Sequence, residues 1–386
     1  HKVTDHHHYW EDGGATYHQR YTTFDLVRGQ EGDKWVGDVE KLRDPSFGSD
    51  RWPEIQRFSM PKQDMINREH MTRSELQPQH ITFDLGLEFI ERNIDADRWF
   101  LQIETFDPHE PFFSQTEFQR LYPHEYDGPP FDWPPYRELR EDQQTVEHIR
   151  YLYASLVSFC DQQLGRVLDV FDEHDLWQDT LLLVNTDHGF LMGEHDWWAK
   201  VVTPFFQEVA HIPFWIHDPR APECANSKSQ ALAQTIDLAP TILDYFDIAT
   251  PQDMQGQRLL DALLGDNDDG KAMREASLYG VMGGQVNVTD GRYVYMRGSA
   301  TDDNGPLFEY TLMPTHMRSR FAPAELRDWQ RSDGFAFTKD CKVMRIPTRT
   351  PKALISADTP MGRGRRSTLL FDVQADPGQL EPITST

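Results

Sequence analysis

"TLLLVNTDHGFLMGEHDWWAK", residues 180 to 200, runs from an apolar stretch straight into a cluster of acids, two imidazoles and a lysine. The part "TLLLVNTD" reads as a buried strand, because a short apolar run bounded by polar residues suits a parallel strand covered on both faces. The charged cluster then falls at the strand's carboxyl end, where open α/β sheets place ligands. Asp187 and His188 set a hard oxygen donor beside an imidazole, and Gly189 lets the backbone turn sharply after them. Lys200 adds a flexible cationic arm able to reach an anion beside a metal. The plain alternative is a polar loop in which His195 and Lys200 are merely solvated.

Composition bounds the class. A chain of 386 residues has room for two domains and a large core. Hydrophobic content of 38% with 25 Pro and 24 Gly suits a loop-rich globular enzyme and not a disordered chain. A net charge of −25 argues against a general nucleic-acid binder and against adhesion to an anionic membrane. An anionic substrate would need a local positive site of metal, Lys and Arg set against that repulsive field. Cys160, Cys224 and Cys341 form no CxxC pair, so neither a zinc ribbon nor a disulfide framework is indicated, and Cys160 reads as core. No run approaches the length of a membrane span. Asn287-Val288-Thr289 is a glycosylation sequon.

Residues 9 to 79 have little sustained period and read as a long surface excursion, with Arg51 and Arg57 as possible substrate contacts. "ITFDLGLEFIERN" is helical in period, "RWFLQIETF" is a strand, and "DPHEPFF" turns at its end. From Val146 the apolar positions Ile149, Tyr153, Leu156, Cys160, Leu164, Val167 and Phe171 follow at steps of three and four, one face of a long helix. Asp161 on that helix reads as a cap or brace. "IPFWIHDP" is another strand, and "TIDLAPTILDYF" a helix with Pro240 in its first turn and Asp237 as its cap. This alternation implies an α/β fold, a mostly parallel sheet flanked by helices. After "GDNDDG", a linker by composition, short β-rich pieces with an Asp290-Gly291 turn imply a smaller antiparallel domain. The expected domains are therefore residues 1–265 and 271–386.

"TDHGFLMGEHDWWAK" resembles the metal segment of the sulfatases of the alkaline phosphatase superfamily, which reads DHG or DNG, then LGEH, then W-x-K. "DPHEPFF" is similar to the family's PHxPf loop, "YASLVSFCDQQLGRVLDVF" to its Y-to-GrvL helix, and "TIDLAPTILDYFDI" to its DlaPTlLdl helix. "QGQRLLDALLG" and "LLFDVQADPGQLEPI" match later landmarks, so the resemblance runs in family order over roughly residues 81 to 380. It implies that Asp187 and His188 bind a divalent cation, most often calcium. It also implies that Lys200 holds a sulfate oxygen, and that His109 reaches the sulfate group from the opposite side. The substrate it implies is a sulfated small molecule or glycan.

Two departures qualify the resemblance. Where many sulfatases have a GKxxH element, this chain has "KVTDHHHYW", so that Asp5 stands in place of the lysine and His7 or His8 in place of the histidine, with His8 favoured. The family's C/S-x-P-x-R nucleophile motif and its upstream aspartate pair are absent from the sequence. The resemblance therefore implies a fragment, inactive alone, whose formylglycine nucleophile lies upstream. A phosphodiesterase, a phosphonate monoester hydrolase, or a non-catalytic protein that holds an anion or glycan against Trp197 and Trp198 are the alternatives.

Overall fold

A computed structural model of the chain describes residues 1–14, 17–49, 59–201, 203–264, 273–301, 304–316, 318–348 and 367–385. It divides into two compact units. The first comprises residues 1–134, 140–176 and 315–321, the second residues 135–139, 177–314 and 322–386. "GDNDDG", Arg51 and Arg57 lie outside the described residues.

The first unit is built on a three-stranded parallel sheet with Lys2–Thr4 at its centre, flanked by Phe24–Leu26 and Gln102–Glu104. Val3, opposite Asp25 and Ile103, is wholly buried. The Pro78–Arg92 helix lies against this sheet, started by a proline whose missing amide costs nothing at a helix N-terminus. Gly86 permits the approach, since a Cβ there would come within 2.4 Å of the Ile103 side chain.

The long helix spans Gln143–Glu173, and Asp142 caps it by accepting a hydrogen bond from the Thr145 amide. Its buried face holds Val146, Ile149, Leu152, Leu156, Phe159, Val167 and Phe171, as the steps of three and four require. Burying each such side chain contributes about 1.5–3 kcal/mol before entropy is set against it. The Cys160 thiol meets the Gln79 amide at 3.0 Å, and burial pushes its pKa up. Asp161 is exposed and neither caps nor braces anything, because it falls on the helix's solvent face.

The described residues of 9–79 are not a surface excursion. They supply the strand Phe24–Leu26, the helix Met60–Arg68, and buried His18, Glu31, Asp33, Ile66 and Asn67. The Asn67 amide donates to the carbonyls of Gly29 and Asp33 and so ties the "RGQEGD" loop to that helix. The order comes from hydrogen bonds between side chains and backbone, which leave no apolar period to read.

The second unit is antiparallel among its described residues. A five-stranded sheet runs Thr384–Ser385, Leu369–Asp372, Tyr293–Arg297, Val286–Thr289, Ser277–Gly280, and a three-stranded one Leu307–Thr311, Met344–Thr348, Gln330–Arg331. Gly291, at φ 92°, makes the expected hairpin turn. Asn287 of the sequon is buried within its strand, a place with no room for a glycan in this fold.

The strand read from "TLLLVNTD" exists as Leu182–Asn185, but it is half-buried and pairs antiparallel with Phe214–His217. The mostly parallel sheet is corrected accordingly: among the described residues, parallel pairing is confined to the three strands of the first unit. An apolar run carries no information on strand direction. Asp237 does not cap its helix, Leu238–Tyr245, but accepts from the amides of Gln234 and Gln257 and pairs with Arg274. No helix among the described residues is long and apolar enough to cross a membrane.

Candidate active site

In the first unit the chain leaves Lys2–Thr4 through Asp5 into a short helical turn, His7–Trp10. Asp5 is wholly buried, and its carboxylate accepts from the Phe106 amide at 2.7 Å, joining the ends of two neighbouring strands. Burial and the nearby Asp107 push the Asp5 pKa well above the carboxylate range. Burial likewise raises Asp107 to about 7. His6 and His7 are lowered to about 4, by burial first and by the neighbouring His8 charge, and so are neutral at pH 7.

His8 is held from both sides. Its Nδ1 lies 2.7 Å from Glu11 Oε2, and its Nε2 lies 2.9 Å from Glu31 Oε2 and 2.8 Å from Arg318 Nη2. Glu31 is buried, which alone would raise its pKa, but the hydrogen bond from His8 and the charges of His109 and Arg318 outweigh this and lower it. His109 packs edge-on to Phe106 at 5.3 Å, as His8 does at 5.7 Å, and its Nδ1 faces the Glu110 carbonyl. His8 and His109 thus pack against the same Phe106 ring. The ligand atoms of His7, His8 and Glu11 also lie within 4.8 Å of one another, although the His8–Glu11 hydrogen bond already occupies two of them.

In the second unit Asp187 and His188 follow the strand Leu182–Asn185. The Asp187 side chain is 84% exposed, so its oxygens are open to a ligand. His188 Nδ1 lies 2.9 Å from the Gly189 carbonyl, so Nδ1 carries a proton and, in the neutral ring, Nε2 is the nitrogen with the lone pair, 3.6 Å from Asp187 Oδ2. A neutral imidazole nitrogen beside an open carboxylate, its ring fixed by a carbonyl, would be a donor pair that fits a divalent cation. Gly189 serves close packing and not a left-handed turn: a Cβ there would stand 1.8 Å from the Glu208 carbonyl oxygen.

Beyond it, His195, Asp196, Ala199 and Val201 all have positive φ, at 53°, 59°, 77° and 66°. Non-glycine residues in this region cost on the order of 1 kcal/mol each and persist only where packing imposes them. Here Trp197, with Leu191, Phe206 and Val209, packs on Val294, Met296 and Phe371 of the antiparallel sheet. Both Trp197 and Trp198 are buried, so they are packing residues and not a sugar platform. His195 stacks on Phe206 at 3.6 Å and faces Glu208, and Lys200 is buried beside Phe190, so neither is merely solvated.

The structure therefore groups His8 with His109 in the first unit, and carries Asp187, His188 and Lys200 in the second. Sequence reasoning missed Glu31 and Arg318. For Glu31 a signal existed in "RGQEGD", where Gly29 and Gly32 take positive φ on either side of it. For Arg318 there was none.

Among solved structures, the chain is similar to the phosphonate monoester hydrolase of Agrobacterium radiobacter (17% identity, TM-score 0.50, covering 80% of this chain and 57% of that one). It is also similar to a protein solved in complex with its substrate D-glucosamine-2-N,6-O-disulfate (15% identity, TM-score 0.51, covering 79% and 65%). At these identities the likeness defines the fold alone. The family model described as sulfatase matches residues 8–248, a span that includes His8, His109, Asp187, His188 and Lys200. The chain belongs to the sulfatase family. Human iduronate 2-sulfatase is 28% identical over 212 residues, 48% of this chain and 37% of that protein. The chain spans less than half the length of the curated relatives it matches.

Proposed function

We propose that the protein hydrolyses a sulfate ester, with a sulfated sugar as its substrate. The observation that carries this reading is the family match, which spans the whole candidate residue set. The negative oxygens of a sulfate ester repel a nucleophile, so the site must neutralise them as charge develops. A divalent cation, calcium in this reading, would be held by the Asp187 carboxylate and His188 Nε2 and would polarise the sulfate oxygens.

Lys200 is buried, and a desolvated ammonium acts more strongly on a sulfate oxygen than a hydrated one. His109 serves as general acid: with Nδ1 bonded to the Glu110 carbonyl, a proton on Nε2 is the one available to a departing alcohol. His8, whose two nitrogens are occupied by Glu11, Glu31 and Arg318, binds and orients. The C/S-x-P-x-R motif is absent from the sequence, and we assign the nucleophile, a formylglycine, to a part of the protein outside these residues.

The test is release of inorganic sulfate from 4-nitrocatechol sulfate and from a sulfated glucosamine by the protein encoded by its complete reading frame, with Lys200→Ala alongside. Sulfate release lost in the variant supports the reading. Turnover of a phosphonate monoester with no sulfate release from either ester would replace it.

A further inference from the structure

We infer that Arg318, delivered from far along the chain into the first unit, binds anionic oxygens of the substrate beside His8; this rests on the sulfate-ester reading above. The segment 315–321 is grouped with residues 1–134 although more than a hundred residues of the second unit precede it. It is closed into a compact turn by a bridge between Thr315 and Arg320 and by the His316 ring stacked on Phe321. What this turn presents to the histidine cluster is one guanidinium.

The hydrogen bonding of that guanidinium is incomplete. Arginine has five N–H donors and no acceptor. Arg318 Nη2 reaches His8 Nε2 at 2.8 Å and Glu31 only at 3.4 and 3.5 Å. Nη1 meets the sulfur of Met60, a weak acceptor, and Nε stands 3.8 Å from Glu11, beyond hydrogen-bond reach. Among the described residues, other cations of this unit are already committed: Lys2 to Glu104, Arg28 to Asp33 by two bonds, Arg68 to Asp64 and Asp132. Arg318, 36% exposed, combines unused donors with access to solvent.

The contact with His8 is also over-subscribed. A ring nitrogen cannot accept from Arg318 and donate to Glu31 at once, yet both partners stand within 3 Å of Nε2. One contact must be surrendered. An anion that takes the fork of Arg318 lets it turn away from His8, after which Nε2–H donates to Glu31 without conflict. Two oxygens of a sulfate or carboxylate match that planar fork, whereas a neutral ligand gives it nothing to pair with.

The experiment uses the protein from its complete reading frame and inorganic sulfate as probe, titrated by calorimetry into the unaltered protein, Arg318→Ala, Arg318→Lys and Arg320→Ala. Arg320, on the same turn but exposed and 3.8 Å from Asp12, is the control. Arg318→Ala should weaken sulfate binding about tenfold to a hundredfold, the range for losing a charged hydrogen-bonding partner. Arg318→Lys should fall between, and Arg320→Ala should match the unaltered protein. If Arg318→Ala fails to fold by circular dichroism, the lysine variant decides: full sulfate affinity there overturns the assignment. Unchanged affinity in a folded Arg318→Ala, or no sulfate binding by the unaltered protein, overturns it as well. Arg318-dependent sulfate binding without any turnover of sulfate esters would leave this assignment standing and remove the hydrolase reading instead. Phosphate and acetate titrations distinguish a tetrahedral oxyanion from a carboxylate as the group it holds.

Discussion

His8 Nε2 and Glu31 Oε2 lie 2.9 Å apart, a buried contact between residues 23 positions apart that fixes the histidine turn on the "RGQEGD" loop. The loop itself is held to the Met60–Arg68 helix by Asn67, so the imidazole is braced by backbone that does not belong to its own strand. A side chain held through two such layers is preorganised in the way a charge-stabilising site requires.

Glu31 has a lowered pKa in the folded protein, so the stability it contributes is present above its unfolded pKa and is lost as pH falls through the folded one. Glu31→Gln should cost about 2 kcal/mol at pH 7, the scale of a hydrogen bond to a charged group. In urea unfolding, the gap between the two proteins should close towards pH 3. A gap of the same size at both pH values would contradict the ion pairing.

Asp107 has the opposite sign. Raised to about 7, it binds its proton more tightly folded than unfolded, so stability falls as pH rises from its unfolded pKa through 7. Asp107→Asn removes the ionisation and should stabilise the protein at pH 8 by on the order of 1 kcal/mol or more, with little change at pH 4. Thermal melts at the two pH values test this, and a variant less stable at pH 8 would show the carboxylate to be favourable where it lies.

Gly189→Ala places a methyl group where the Glu208 carbonyl oxygen stands 1.8 Å away. Because the obstacle is backbone, relief requires the 187–189 loop and the 206–210 turn to separate. We expect a loss of about 3 kcal/mol or more in stability, the upper range for overpacking. A melting temperature within 2 °C of the unaltered protein, roughly the shift that 1 kcal/mol produces, would show that the segment yields.

On the proposed assignment of the cation to these two residues, Asp187→Ala and His188→Ala should each weaken calcium binding by roughly tenfold or more. Calorimetric titration of the protein from its complete reading frame checks this. An unchanged dissociation constant in both variants would move the cation elsewhere, with His7, His8 and Glu11 as the next set to substitute.

Much of this molecule is legible locally. The Gln143–Glu173 helix follows from apolar steps of three and four, and the hairpin at Gly291 from a turn that needs positive φ. Asp187, His188, Lys200 and His109 stand out because unlike chemistries are crowded into short stretches. The "TLLLVNTD" run declared a strand but not its partner, and the antiparallel pairing with Phe214–His217 contradicts the direction expected of it.

What the sequence by itself determined is the set of short segments, their secondary structure where period or turn chemistry is strong, and the family to which their order belongs. Tertiary structure alone decided strand direction, the burial of Glu31, the strained backbone imposed on residues 195 to 201, and the meeting of Arg318 with His8. Periodicity is a property of neighbours along the chain. A contact between residues 310 positions apart depends instead on loop closure and on packing across the whole unit, and no local pattern encodes either.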